Sequence, residues 1–65
     1  MSKYSKMVRL KIKRIEKGFS QGDLAEKVGA TRQMISAYEC GMYFPRREML
    51  DRIAQALDCE IKDIV

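Results

Sequence analysis

The sequence predicts an all-α fold, a compact single domain of five short helices. Three observations carry that expectation. Apolar residues recur at helical spacing along most of the 65 residues, and no stretch alternates in the manner of a strand. The single proline and the four glycines fall where helices would stop or turn. Composition is that of a globular protein, 46% hydrophobic and 34% charged. A chain this short buries only about 60% of its unfolded surface, so its stability is expected to be modest.

Taken in order, residues 1–5 lack periodicity and are expected to form a flexible arm, leaving residues 6–65 as the domain. A first helix is expected from Lys6 to Lys17. Val8, Ile12 and Ile15 share one face of it, and Leu10 and Arg14 share another, a broad stripe that leaves its rotation open. Gly18 ends it. Ser20 then suits an N-cap, with Asp23 three residues on in an approximate capping box, and Phe19 is placed to staple the helix start to the core. The second helix runs from Gln21 to Val28, with Leu24, Ala25 and Val28 inward. Gly29 stops it in the left-handed conformation.

Thr31 can cap a third helix, Arg32 to Glu39, through its hydroxyl. This helix buries Ile35 and Tyr38 and turns Arg32, Gln33, Ser36 and Ala37 to its other side. Gly41 ends it, and Met42-Tyr43-Phe44-Pro45 forms a short loop. The fourth helix starts at Arg46 or Arg47 and reaches Leu57, burying Leu50, Ile53, Ala54 and Leu57, until Asp58 ends it. A fifth, from Glu60 to Ile64, sets Ile61 and Ile64 on one side.

Charge is unevenly distributed. The net charge is +4, and the first 17 residues hold Lys3, Lys6, Arg9, Lys11, Lys13, Arg14 and Lys17 against Glu16 alone. From Glu48 onward the balance reverses, with Glu48, Asp51, Asp58, Glu60 and Asp63 against Arg52 and Lys62. A basic half and an acidic half suit a polyanion bound on one side. Arg and Gln opening an outward helix face are chemically able to make bidentate hydrogen bonds to base edges; ordinary solvated surface is the alternative.

The residues disfavour other chemistries. There is no histidine, and Cys40 and Cys59 have no metal-ligand spacing, so no metal and no cofactor is expected. They read as two reduced, packed thiols of a cytoplasmic protein, Cys59 nearer the core and Cys40 nearer the surface. Without a nucleophile beside a plausible base or a Gly-rich phosphate loop, an enzyme is not expected. No apolar run approaches the length of a membrane span, and no signal peptide is visible.

A set of residues at fixed spacing carries a family resemblance. Arg14 and Gly18, Ser20-Gln21, Leu24-Ala25, Gly29, Thr31-Arg32, Ile35-Ser36, Glu39, Gly41, Pro45, Ile53-Ala54 and Leu57 together resemble the Cro/C1-type helix-turn-helix domains of phage and bacterial repressors, the XRE family. The resemblance spans about Leu10 to Ile64. It implies a lambda-repressor-like fold that binds double-stranded DNA sequence-specifically, usually as a homodimer on a two-fold operator.

The resemblance also implies residue roles. The helix from Arg32 matches the recognition helix, with Arg32, Gln33, Ser36 and Ala37 reading bases. Guanine suits Arg32, adenine Gln33, and the thymine methyl Ala37. Gln21, Thr31, Tyr43, Arg46 and Arg47 match phosphate-binding positions, with capping alone the alternative role for Thr31. Arg14 and Glu39 match an ion pair between the first and third helices. Met34 and Met42 depart from the family pattern; Met34 is expected to pack sideways. Ile61, Ile64 and Val65, then Phe44, are the candidates for a dimer seam. With no effector domain visible, repression would come from occupying a promoter. An antitoxin, or another protein-interaction module of the same fold, is the alternative function.

Overall fold

The computed structural model describes residues 3–65 as four α-helices followed by one turn of 3-10 helix: α1 (Val8–Glu16), α2 (Gln21–Val28), α3 (Arg32–Cys40), α4 (Arg47–Ala56) and the turn at Ile61–Asp63. α2 packs against α3 and α4, α3 also against α1, and the closing turn wedges between α1 and α4. Leu10, Leu24, Ile35, Ile53, Leu57 and Ile64 are fully buried at the centre, one or more from every element except the turn itself, whose next residue is Ile64. Among the described residues there is no strand.

Local chemistry sets the element ends. Ser20 Oγ accepts the Asp23 N–H at 3.0 Å and Asp23 Oδ2 accepts the Ser20 N–H at 2.9 Å, so the approximate capping box is a complete one. The Ser20 N–H first, and then the Ser20 hydroxyl, hold the Asp23 carboxyl below the usual aspartate range by hydrogen bonding to its charged form, with the Lys27 charge adding to them. A group whose folded pKa lies below its unfolded one stabilises the fold above the unfolded pKa and loses that contribution as pH falls through the folded value. The stability difference between wild type and Asp23→Asn, measured by urea denaturation, should therefore narrow as the solution is taken from neutral pH to about 2.5. A gap independent of pH would remove the carboxylate from the cap.

Two expectations are corrected. The fifth helix is a single 3-10 turn. Asp58 adopts a left-handed φ of 54° after Leu57 closes α4, and Glu60 is extended, so only Ile61–Asp63 remain to coil. Aspartate tolerates this conformation better than most residues. Gly22 is not a stop; it lies in the first turn of α2. Cys40 is exposed and Cys59 half-buried, the order expected of them; Cys59 is a free thiol whose pKa is pushed up first by burial and then by Asp63.

The structure also fixes the rotation of α1, which the sequence left open. Leu10 and Arg14 face the core, and Val8, Ile12 and Ile15 stand 55%, 49% and 56% exposed. Spacing alone offered two faces. Burial of Arg14 against α3 selects one of them and leaves the β-branched stripe outside.

The arm differs as well. Met1 and Ser2 lie outside the described residues, but Tyr4 is anchored. Its N–H donates to the Gly41 carbonyl at 2.7 Å, and its ring meets that of Phe44 at 6.3 Å between centroids, tilted by 44°. The chain before α1 thus closes over the C-terminus of α3.

Candidate nucleic-acid interface

The α2–turn–α3 unit is fixed by its two helix ends. Gly29 caps α2 with φ 73°, and its N–H donates to Ala25 O. Ala30 then bonds back to the same carbonyl at 2.9 Å. Thr31 is extended, and its Oγ1 accepts the Met34 N–H at 3.1 Å, starting α3 within two residues of the turn. Thr31 therefore caps, as expected. The N-terminal turn of α3 projects from the domain, with Arg32 and Gln33 exposed and Ser36 and Ala37 half-buried.

Gln21, Thr31, Arg32, Gln33 and Ser36 line one shallow polar depression. Two helix N-termini converge on it, those of α2 and α3, each presenting first-turn N–H groups that precede the repeating helical bonds. Five sequence-predicted positions, from both the base-reading and the phosphate-binding sets, thus meet on one surface.

Beneath it lies a network spanning three helices. Arg14 Nε donates to Glu39 Oε2 at 2.7 Å, and Arg14 Nη2 to Glu39 Oε1 at 3.1 Å, a bidentate fork. Arg14 Nη1 donates to the Phe19 carbonyl at 2.8 Å, which ties α1 to the entry of α2. Gln21 Nε2 donates to Glu39 Oε1 at 3.1 Å. Arg14 and Glu39 are 7% and 8% exposed, and no buried side-chain polar atom among the described residues lacks a partner. The expected ion pair is there. The bonds to Phe19 O and Gln21 were not foreseen, because backbone carbonyls and amide contacts leave no mark in residue spacing.

Chemically, this arrangement offers hydrogen-bond donors in a fixed cluster with a guanidinium at its edge. It contains no nucleophile–base pair. A helix-turn-helix family profile matches residues 10–64. The chain belongs to the Cro/C1-type (XRE) helix-turn-helix family. It is similar to an uncharacterised helix-turn-helix-type transcriptional regulator of Methanothermobacter thermautotrophicus, 52% identical over 52 residues, covering 78% of this chain and 75% of that protein. A second such regulator, from Methanocaldococcus jannaschii, is 39% identical over 56 residues, 86% of this chain and 85% of its own length. An endothelial differentiation-related factor 1 homolog of Danio rerio is 35% identical over 49 residues, covering 75% of this chain but 34% of the zebrafish protein. The protein is a helix-turn-helix DNA-binding transcriptional regulator, of a family that is not enzymatic.

In this helix-turn-helix domain, α3 is the second helix of the motif. The remaining predicted residues are placed apart from the polar depression. Tyr43 and Arg46 line a separate, largely apolar groove with Met34, Tyr38, Phe44, Met49 and Arg52. Met34 thus turns sideways toward the loop while staying 40% exposed. Arg46 is the N-cap residue of α4, and Arg47 begins that helix with its Nε 3.7 Å from Asp51 Oδ1, an exposed pair worth little to stability.

The dimer candidates divide. Ile64 is fully buried in the core and cannot meet a partner; its side chain fills the gap between α1 and α4 that the closing turn covers. Ile61 is half-buried, whereas Val65 and Phe44 are exposed. Among the described residues, no helix is long and apolar enough to cross a membrane.

Proposed function

We propose that the protein is a repressor that works in the cytoplasm as a homodimer on an inverted-repeat operator, placing two copies of α3 in successive major grooves about 34 Å apart. The shared polar depression of Gln21, Thr31, Arg32, Gln33 and Ser36 carries this reading. Arg32 and Gln33 reach base edges, Arg32 toward guanine and Gln33 toward adenine. Ser36 and Ala37 lie one turn deeper, where a short hydroxyl and a methyl fit close to the bases. Gln21 and Thr31 hold the flanking phosphate. An amide nitrogen carries two hydrogens, so the bond from Gln21 to Glu39 leaves capacity for a second to a phosphate oxygen. Tyr43, Arg46 and Arg47 extend the phosphate contact along the adjoining loop, and repression follows from promoter occupancy.

Selection from random duplexes tests this directly. A pair of half-sites one helical turn apart is the expected product. Equal, weak binding to every duplex would overturn the proposal. Arg32→Ala and Gln33→Ala are each expected to cost about 1–3 kcal/mol on the selected operator and to relax preference at one base pair per half-site. Uniform weakening on all sequences would reassign that side chain to the phosphates.

Val65 and Phe44, with half-buried Ile61 beside them, make the dimer seam in this reading. Because Ile64 belongs to the core, truncation after Leu57 would unfold the domain instead of testing the seam. Val65→Asp serves better. It should raise the dimer dissociation constant in sedimentation equilibrium by roughly tenfold, while thermal stability measured under monomeric conditions stays unchanged. An unaltered dimer would move the seam elsewhere.

The protein-interaction reading also has one observation in its favour. The exposed stripe of Val8, Ile12 and Ile15 lies on α1, outside the polar depression.

A further inference from the structure

α1 has two apolar sides, and the fold uses one. Leu10 and Arg14 face inward, and Met7 is buried just before the helix. Val8, Ile12 and Ile15 sit at i, i+4 and i+7, within about 60° of arc on the other side. All three are β-branched and about half exposed. Charge surrounds them. On the helical wheel Lys11 borders one edge of the stripe, and Arg9 and Glu16 border the other. Glu16 is itself within 3.6 Å of Lys13. At its N-terminal end the stripe borders a depression lined by Lys6, Val8, Arg9, Phe44 and Val65; the last two belong to the proposed dimer seam, so a docked helix ends at Val8, short of them.

We propose that this outer face of α1 is a docking surface for an acidic amphipathic helix of a partner protein. Such a helix lays an apolar stripe of its own on Val8, Ile12 and Ile15 and sets carboxylates against Arg9 and Lys11. α1 is nine residues long, about 13 Å, which matches two to three turns of a partner. A second copy of the same face is a poorer match, because it would set Arg9 and Lys11 against their own counterparts. An anionic membrane is poorer too. A surface-bound helix sinks roughly 5–10 Å into the headgroup layer, whereas α1 is locked to α3 through Arg14 and Glu39. The face points away from Leu10 and Arg14, so a bound helix leaves α3 open to DNA. The proposal does not depend on operator recognition.

A displayed library of helical peptides, panned on the full chain with counter-selection on I12D/I15D, tests it. The expected winners carry an apolar i, i+4, i+7 stripe flanked by Asp or Glu. As a synthetic peptide, the best of them should lose at least about tenfold in affinity on I12D/I15D by fluorescence anisotropy, and weaken as salt is raised. Melting temperature and duplex binding of that variant should match wild type. If I12D/I15D melts early, R9E/K11E carries the same test, since it leaves the stripe intact and should lower the affinity for the acidic peptide by a similar factor.

Four outcomes would overturn the proposal: no enrichment over the variant; winners that are basic or stripe-free; wild-type self-association in sedimentation velocity that I12D/I15D abolishes, which would give the face to a second copy; or phosphatidylserine-vesicle binding that I12D/I15D abolishes, which would give it to a membrane.

Discussion

Glu39→Ala is expected to destabilise the domain by about 3–5 kcal/mol, because removing one member of a buried pair leaves the other charge without compensation. Here the loss takes three hydrogen bonds from two partners. The Arg14 fork loses both acceptors, and Gln21 loses the bond that orients its amide. Arg14 would keep its bond to the Phe19 carbonyl, so it is held in place while unpaired. In a 65-residue chain, each kcal/mol is worth roughly 4–8 °C of melting temperature, so a fall on the order of 12–40 °C is expected by calorimetry.

The double variant Arg14→Met/Glu39→Leu should be markedly more stable than Glu39→Ala alone, since an apolar pair of similar volume removes both desolvation costs. It should still bind DNA less well than wild type, because Gln21 and the tilt of α3 both depend on the carboxylate. An unchanged melting temperature for Glu39→Ala would show that solvent already compensates the arginine and that the network does not hold α3.

Gly41→Ala is the second. Gly41 meets two demands at once. Its φ of 82° is left-handed, which costs an alanine about 1–2 kcal/mol. A Cβ there would also collide with the Tyr4 carbonyl oxygen and come within 3.1 Å of the Ser5 carbonyl carbon and 3.2 Å of the Lys6 nitrogen. These are backbone atoms of a segment fastened by the Tyr4–Gly41 hydrogen bond, so they yield only if the segment detaches.

The combined loss is expected at about 2–4 kcal/mol. Gly18→Ala is the control. It has φ 76° but nothing within 4 Å of the added carbon, so only the conformational cost of about 1–2 kcal/mol applies. Chemical denaturation of both variants separates the two contributions. Equal losses would mean that the chain before α1 swings away freely and that its closure over α3 adds no stability.

The legible parts of the fold were those with local causes. Ser20 with Asp23, Thr31, and the left-handed glycines at 29 and 41 act within four residues of themselves, and each appears where its chemistry places it. The core faces of α2, α3 and α4 were legible because each has a single apolar stripe. α1 was not, since two stripes compete and the choice rests on a contact 25 residues away in sequence, between Arg14 and Glu39. The last helix was overextended for a related reason. Ile61 and Ile64 have helical spacing, but a 3-10 turn satisfies i, i+3 as well.

Within the candidate site, the ion pair followed from the family resemblance, while its attachment to Gln21 and to the Phe19 carbonyl did not. The dimer candidates show the opposite failure. Ile64 looked exposed because it lies near the C-terminus, yet the domain needs it to close the core.

The sequence by itself determined the helical class, the turn between α2 and α3, the caps that delimit it, and the charge imbalance between the two halves, because these depend on residue type and near neighbours. Only the tertiary structure decided which side of α1 is inside, where the arm lies, and which terminal isoleucine is core. Those outcomes depend on packing between distant segments, where one buried charge pair or one close backbone contact outweighs local preference.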